Sequence, residues 1–485
     1  MTNSATIHTK THSAKGWPKI SALALAVALF NAGCASLEPA LPKADPGIQG
    51  AWPKVQADEA NADGTTTVSA ADVGWRDFLV DQKLEEVVAR ALANNRDLRV
   101  ALLNVERARA LYRIQYSARL PSVGANAAMI RGGGDRNPNA GESYSAELGL
   151  AAFELDLFGR VRNLSDAALE QFLAQEEASR GAQLSLVAEV INAYLTLAAD
   201  QELLQVAQAT LQTYERSYQL SQKRHELGAL SALDLSRSRT EVESARADTA
   251  RFQGYVAQDL NALNLLVGAP VDVELLPTGF TGQVTGLLPL PAGLPSDVLL
   301  RRPDVLQAEH RLRAANANIG AARAAFFPSI SLTGSVGTVS DELSGLFGSG
   351  SKVWSFIPQI QVPIFQGGRL RAQLGVSNAD RDIALAQYER AIQQGFREVS
   401  DALALTATLA AQHQAQAAVV AAAQQADDLA AARYEAGQDS YLVRLDTQRT
   451  LYAAQQSLVA IRLAEQANRV ALYRVLGGGW KEQTE

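Results

Sequence analysis

The chain is written twice. Pro121-Ser122 recurs as Pro328-Ser329, and Asp97 and Phe158 recur as Asp304 and Phe365, all 207 residues further on. From Arg160 the spacing becomes 209, pairing Arg160 with Arg369, Arg162 with Arg371, Arg224 with Arg433, Gly228 with Gly437, Ser231 with Ser440 and Gly268 with Gly477. A two-residue insertion at Gln366-Gly367 accounts for the change. Register kept over roughly 170 residues means that each half carries the same structural unit. A duplicated helical bundle would satisfy the repeat alone. What each half contains argues for more.

The first 33 residues read as an export signal. Lys10, Lys15 and Lys19 form a basic region, Ile20 to Phe30 an apolar stretch, and Asn31-Ala32-Gly33-Cys34 follows. That stretch is too short to span a bilayer, which takes about 20 residues, so the signal is cleaved rather than kept as an anchor. The arrangement around Cys34, the chain's only cysteine, resembles the lipobox of bacterial lipoproteins. It implies a covalent lipid on Cys34, and Ala35 in place of Asp fits delivery to the outer membrane. With that thiol acylated, no disulfide is available, and stability must come from packing or assembly. The formal charge of −7 becomes more negative once the signal lysines are removed, which disfavours nucleic acid as a partner. No apolar run of about 18 residues appears, so no helix is expected to cross a membrane.

Residues 34–74, with Pro39, Pro42, Pro46 and Pro53 among small polar residues, read as an extended tether. Helical patterning covers 75–119 in the first repeat and 297–327 in the second. No proline lies between Pro138 and Pro270 or after Pro363, and these stretches are rich in Ala, Leu, Gln, Glu and Arg. They predict long helical hairpins over 159–269 and 367–477, with a connector at 270–296 and a tail at 478–485. A helix from Gly159 to Leu227 would be roughly 100 Å long at about 1.5 Å per residue, too long for a compact domain and suited to a tube. Leu184, Val187, Ile191, Tyr194 and Ala198 recur at three- and four-residue steps with many alanines between, as expected of helices packed between two neighbours. Gly228 and Gly437 then close the turns of the two hairpins. The helix carboxylates are expected at solvated positions.

Between the helices lie alternating segments, at 120–158 and 328–366. Ile330, Leu332 and Val336 alternate with Ser331, Thr333 and Ser335, and Trp354, Phe356 and Ile360 with Ser355, Gln359 and Gln361. The first half repeats this more weakly with Val123, Ala125, Ala127 and Met129, and with Tyr144, Ala146, Leu148 and Leu150. Segments of about ten residues, apolar on one face, suit transmembrane β-strands. A soluble hairpin with one face on a core is the plainer alternative. Near Ala151 the alternation changes phase, which puts Phe153, Leu155 and Leu157 opposite Tyr144 and Leu148, as in a strand that leaves the membrane or bulges. Four strands cannot close a barrel, and an open sheet in lipid leaves backbone groups unsatisfied. The strands must be shared among identical chains, and pattern alone permits two, three or four.

Trp75-Arg76-Asp77-Phe78, Leu120-Pro121-Ser122, Leu155-Asp156-Leu157-Phe158-Gly159-Arg160, Arg301-Arg302-Pro303-Asp304-Val305, Phe327-Pro328-Ser329 and Tyr434-Glu435-Ala436-Gly437 occur in that order. Over essentially the whole mature chain this resembles the outer-membrane factor family of TolC-like channels, in its lipoprotein branch that partners resistance-nodulation-division pumps. The resemblance implies an α+β membrane protein: a trimeric 12-stranded β-barrel, four strands per chain, continuous with a long α-helical periplasmic barrel. It implies a passive efflux channel in the outer membrane of a Gram-negative cell, working with a periplasmic adaptor protein and an inner-membrane pump. It also places the periplasmic aperture at Leu442 and Asp446, with Asp234 of the first repeat contributing, and adaptor contact at Gly228, Ser231, Gly437 and Ser440. Leu442 and Asp446 are four apart, hence on one helix face. A salt bridge from Asp446 to Arg444, Arg449 or a neighbouring helix is the plainer alternative to a ring of aspartates. A type I protein-secretion conduit and a pore-less periplasmic scaffold of long helices are the other functional alternatives.

Nothing points to an enzyme, a cofactor or a metal. Beyond the signal only His225, His310 and His413 remain, none near another in sequence. Gly132-Gly133-Gly134 joins two strands rather than a strand and a helix, so it is not a dinucleotide loop.

Overall fold

The computed structural model describes residues 36–48, 73–132, 141–280, 296–478 and Glu482. The signal, Cys34, most of the tether and of the connector lie outside these residues. In chain order the elements are α1 (Trp75–Phe78), α2 (Gln82–Asn94), α3 (Arg96–Ser117), β1 (Val123–Arg131), β2 (Glu142–Leu155), α4 (Arg160–Glu226), α5 (Ala232–Val267), α6 (Pro303–Ala324), β3 (Ser329–Ser340), β4 (Lys352–Gln361), α7 (Arg369–Glu435) and α8 (Tyr441–Val475). The duplication is visible in the boundaries: α4 and α7 each hold 67 residues, and α3 and α6 each hold 22.

Residues 75–119, read from sequence as one helical stretch, form three helices. Asp81 caps α2, its side chain accepting from Lys83 N at 2.9 Å. Asn95 separates α2 from α3: its Oδ1 accepts from Leu98 N and its Nδ2 donates to Leu266 O, each at 2.8 Å. There α5 ends on Gly268, whose φ of +76° suits glycine. A Cβ on Gly268 would lie 2.6 Å from Asn94 O, whereas one on Gly437, at φ +73°, would meet nothing within 4 Å. Gly437→Ala is therefore expected to cost about 1 kcal/mol through backbone conformation alone. Gly268→Ala should lower the thermal unfolding midpoint more, because backbone must also shift. Circular dichroism melts of the two variants check the order.

The residues divide into two units. The first holds the sheet with Arg109–Gln171 and Arg311–Ala384. Its four strands run antiparallel in the order β1-β2-β3-β4. The register puts Ala125 beside Leu148, Leu148 beside Val336 and Val336 beside Trp354, an apolar row on one face. The other face carries Asn126, Ser145, Glu147, Ser335 and Ser355, with the Ser335 and Ser355 hydroxyls 2.9 Å apart. Here the sequence expectation for Phe153 and Leu155 needs correcting. Leu150 pairs with Gly334 but Phe153 pairs with Leu332, so β2 carries one extra residue, a β-bulge. Ala152 takes a φ of +43° and donates its N–H to Thr333 Oγ1 at 3.2 Å. The bulge returns Phe153 and Leu155 to the face of Leu148, so the apolar face is continuous. Below the sheet Phe158 stacks on Phe327 at 4.6 Å, and Arg119 Nη2 donates to Arg162 O at 2.9 Å and pairs with Asp166.

The second unit comprises Lys43–Ala108, Phe172–His310 and Leu385–Glu485. Its main core gathers Trp75, Phe78, Leu84, Val87 and Ala91 with Leu186 to Ala199 of α4 and with Leu263, Val470 and Tyr473. Phe78 stacks face to face on Tyr473 at 3.8 Å, and Tyr473 Oη donates to Val73 O. This explains why a four-residue helix carries two large aromatics. One stretch of α4 is, against the sequence expectation, long and apolar enough to cross a membrane, but most of it is buried within the protein. A smaller core joins Leu299, Val305, Ile392, Val399, Leu472 and Val475. Beside it Arg302 is nearly fully buried and donates to Asp304, to Glu398 Oε2 at 2.8 Å and to Val475 O at 2.8 Å.

Candidate functional site: the paired helical turns

Each long hairpin reverses through the same hydrogen-bond pattern. After α4, Gly228 N donates to His225 O at 2.9 Å and Ala229 N to Arg224 O at 2.7 Å. After α7, Gly437 N donates to Tyr434 O at 3.1 Å and Gln438 N to Arg433 O at 2.9 Å. Both are Schellman caps, with glycine at φ +73° supplying the left-handed residue. Beyond the turn the two repeats differ. Ser231 caps α5, accepting from Asp234 N at 3.0 Å and donating to Asp234 Oδ2 at 2.8 Å, and Asp234 also pairs with Arg237 at 3.5 Å. Ser440 makes no such cap, and the position equivalent to Asp234 is Val443. Instead Arg433 holds Asp439 through two hydrogen bonds of 2.7 and 3.0 Å. Those bonds keep the Asp439 carboxyl below its ordinary range.

The start of α8 has a buried side and an open side. Tyr441, Leu445 and Gln448 face inward, and Tyr434, Tyr441 and Leu445 form a small core. Burial pushes the Tyr441 hydroxyl up. The Arg224 guanidinium lies 4.5 Å over the Tyr434 ring, joining the two repeats. Leu442, 54% exposed, and Asp446 lie together on the open side. Among the described residues Asp446 makes no hydrogen bond or ion pair within the chain, and both candidate arginines are engaged elsewhere. Arg444 Nη1 donates to Asp427 O at 2.6 Å and to its Oδ1 at 2.5 Å, a pair also bonded by Thr447 Oγ1 and shielded from water at 12% and 10% side-chain exposure. Arg449 pairs with Glu241, itself buried, and Tyr452 Oη donates to Asp248 Oδ2 at 3.1 Å, both linking α5 to α8.

The structure thus brings Leu442 and Asp446 together on one exposed strip and ties Asp234 into the cap of a different helix. Asp427 and Glu241 escaped the sequence reading, which put the helix carboxylates in solvent. Their partners stand 17 and 208 residues away, beyond any local pattern. Glu241 lies on the stripe of Ser238, Val242 and Ala245, all buried, and that three- and four-residue spacing was the available signal.

The family model for outer membrane efflux protein matches residues 87–269 and again 294–478, one match per repeat. The toluene efflux pump outer membrane protein TtgC of Pseudomonas putida is 47% identical over 470 residues, covering 96% of each chain. The outer membrane protein OprJ of Pseudomonas aeruginosa is 44% identical over 470 residues, again 96% of each. The open state of the Neisseria gonorrhoeae MtrE outer membrane channel, 38% identical, superposes with a TM-score of 0.83 over 93% of this chain and all of that one. The chain belongs to the outer membrane efflux protein family. It is an outer-membrane efflux channel, a conduit rather than an enzyme, and requires no cofactor.

Proposed function

We propose that three copies of the chain close their sheets into one 12-stranded β-barrel across the outer membrane, continued in the periplasm by a tunnel of long helices. The observation that carries this is the open sheet, apolar on one face and unpaired along β1 and β4. In lipid those two edges must find partners. Four antiparallel strands leave β1 and β4 antiparallel to each other, so β4 of one copy can pair with β1 of the next and the ring closes without a misfit. Strands of 9 to 14 residues suffice for a tilted crossing of about 30 Å. The exposed Val100, Leu103, Leu111 and Ile114 of α3, a helix that buries only Leu98, also call for contact outside the chain.

Within this assembly the chain conducts small toxic compounds passively to the exterior, and the name of the Pseudomonas putida relative supports aromatic solvents as one cargo class. An inner-membrane pump of the resistance-nodulation-division type drives export. A periplasmic adaptor protein docks on the turns Gly228–Ser231 and Gly437–Ser440. Cys34 carries the lipid that anchors the mature N-terminus. Leu442 and Asp446 form two rings of three at the periplasmic aperture, the leucines narrowing it and the aspartates favouring cations. The free Asp446 carboxylate supports that ring over a salt bridge. Asp234, whose carboxylate is occupied by Ser231 and Arg237, contributes negative potential rather than a mobile charge. Leu442→Ala with Asp446→Ala should raise single-channel conductance in planar bilayers by several-fold; unchanged conductance would remove both residues from the aperture.

A further inference from the structure

One acidic residue of the sheet, Glu147, calls for explanation. Glu147 sits in a row with Asn126, Gly337 and Val353, on the face that also carries Ser145, Ser335 and Ser355. Its presence there depends on the bulge. Counting back by twos from Phe153 and Leu155 without the extra residue would place Glu147 on the apolar face, where a charged side chain facing lipid is destabilising. The bulge at Ala152 inverts the parity, so Leu148 and Leu150 join the apolar face and Glu147 joins the polar one. The β2–β4 equivalence shows the same device from the other side: β4 pairs without any such shift, and the residue 207 positions after Glu147 is Trp354, on the apolar face.

Among the described residues nothing neutralises this carboxylate. The other acid on the polar face, Glu154, is held by Arg160, whose Nε donates to Glu154 Oε1 at 2.8 Å. Glu147 makes no hydrogen bond or ion pair among the described residues. On the β3 side its partner Gly337 has no side chain, and on the β1 side its partner is the uncharged Asn126. A Cβ on Gly337 would lie 2.3 Å from Ala146 O and 2.6 Å from Glu147 Cα.

We propose that Glu147 faces the water-filled bore of the closed sheet, and that its three copies make the outer-membrane section of the conduit prefer cations. This rests on the trimeric closure proposed above and adds a ring of charge distinct from Asp446. Three like charges facing one bore within a low-dielectric wall repel anions and concentrate cations. The test is reversal potential across a potassium chloride gradient, with the reconstituted full chain. Glu147→Gln should lower the cation-to-anion permeability ratio by about two- to fivefold, in the presence or absence of Asp446→Ala, and Glu147→Lys should invert the preference. In parallel, Glu147→Cys should react with a water-soluble cationic methanethiosulfonate and Leu148→Cys should not, with the wild type as control for Cys34. A conducting wild type whose ratio is unmoved by Glu147→Gln, or labelling at 148 rather than 147, would overturn this inference alone. A wild type that inserts without conducting would overturn the conduit together with it.

Discussion

Arg302→Met is expected to destabilise the second unit by about 3–5 kcal/mol, because it leaves the half-buried Glu398 and the buried Val475 carbonyl without their cation. Arg302 is the hinge of the Arg-Arg-Pro-Asp-Val segment: its guanidinium reaches Asp304 in the first turn of α6, Glu398 on α7 and the last turn of α8. Gly395 lies directly beneath it, where a Cβ would come within 3.3 Å of Arg302 Nε. Arg302→Lys should recover only part of the loss, since an ammonium cannot serve three acceptors in a fixed planar fork. The pH dependence gives a second readout. Burial works to raise the Glu398 carboxyl, but hydrogen bonds from Arg302 and Gln394 outweigh it and hold the group below its ordinary value near 4.5. A carboxyl lowered in the folded state contributes stability above that value and loses it as pH falls through the lowered one. The wild type should therefore lose unfolding free energy below about pH 4.5, and in Arg302→Met that part of the slope should vanish. Chemical denaturation in detergent across pH 3–7 measures both.

Asp427→Ala is the second large expectation. It strands the Arg444 guanidinium in a nearly dry site and should cost about 3–5 kcal/mol, again for removing one partner of a buried pair. The consequence is positional as well as energetic. Arg444 stands two residues from both Leu442 and Asp446, so the bond to Asp427 fixes how the start of α8 lies against α7. The variant should combine a lowered unfolding midpoint with noisier single-channel currents, because the strip bearing the proposed aperture residues is no longer pinned. The first repeat carries Tyr218 and Leu235 at the equivalent positions, so exchanging Asp427 and Arg444 together for Tyr and Leu should restore stability. Full stability in Asp427→Ala alone would show that the pair is not desolvated.

How much of this was legible in the residues depends on the range of the interaction. Helix and strand positions followed from period and composition, and the duplication doubled each signal: a weak alternation at Val123–Met129 gained weight from the stronger one at Ser329–Val336. The bulge at Ala152 was legible only as a phase change, because alternation cannot distinguish a strand that ends from one that carries an extra residue. Pairing partners decide that, and they lie some 180 residues away at Thr333 and Leu332. The buried acids Asp427 and Glu241 were hidden for a related reason. A carboxylate on an alanine-rich helix looks solvated until its arginine is placed, and Arg449 belongs to the other repeat. The paired turns were the most readable feature of the site, since glycine at a left-handed cap is a local requirement.

In the proposed assembly the sheet of one chain, unable to satisfy its own edges in lipid, is completed by copies of itself. Sedimentation of the mature protein in mild detergent, with the bound detergent matched out, weighs the particle directly. Three chains per particle, retaining strand signal in circular dichroism, is the predicted result. A stable particle of one chain with its four strands intact would contradict it.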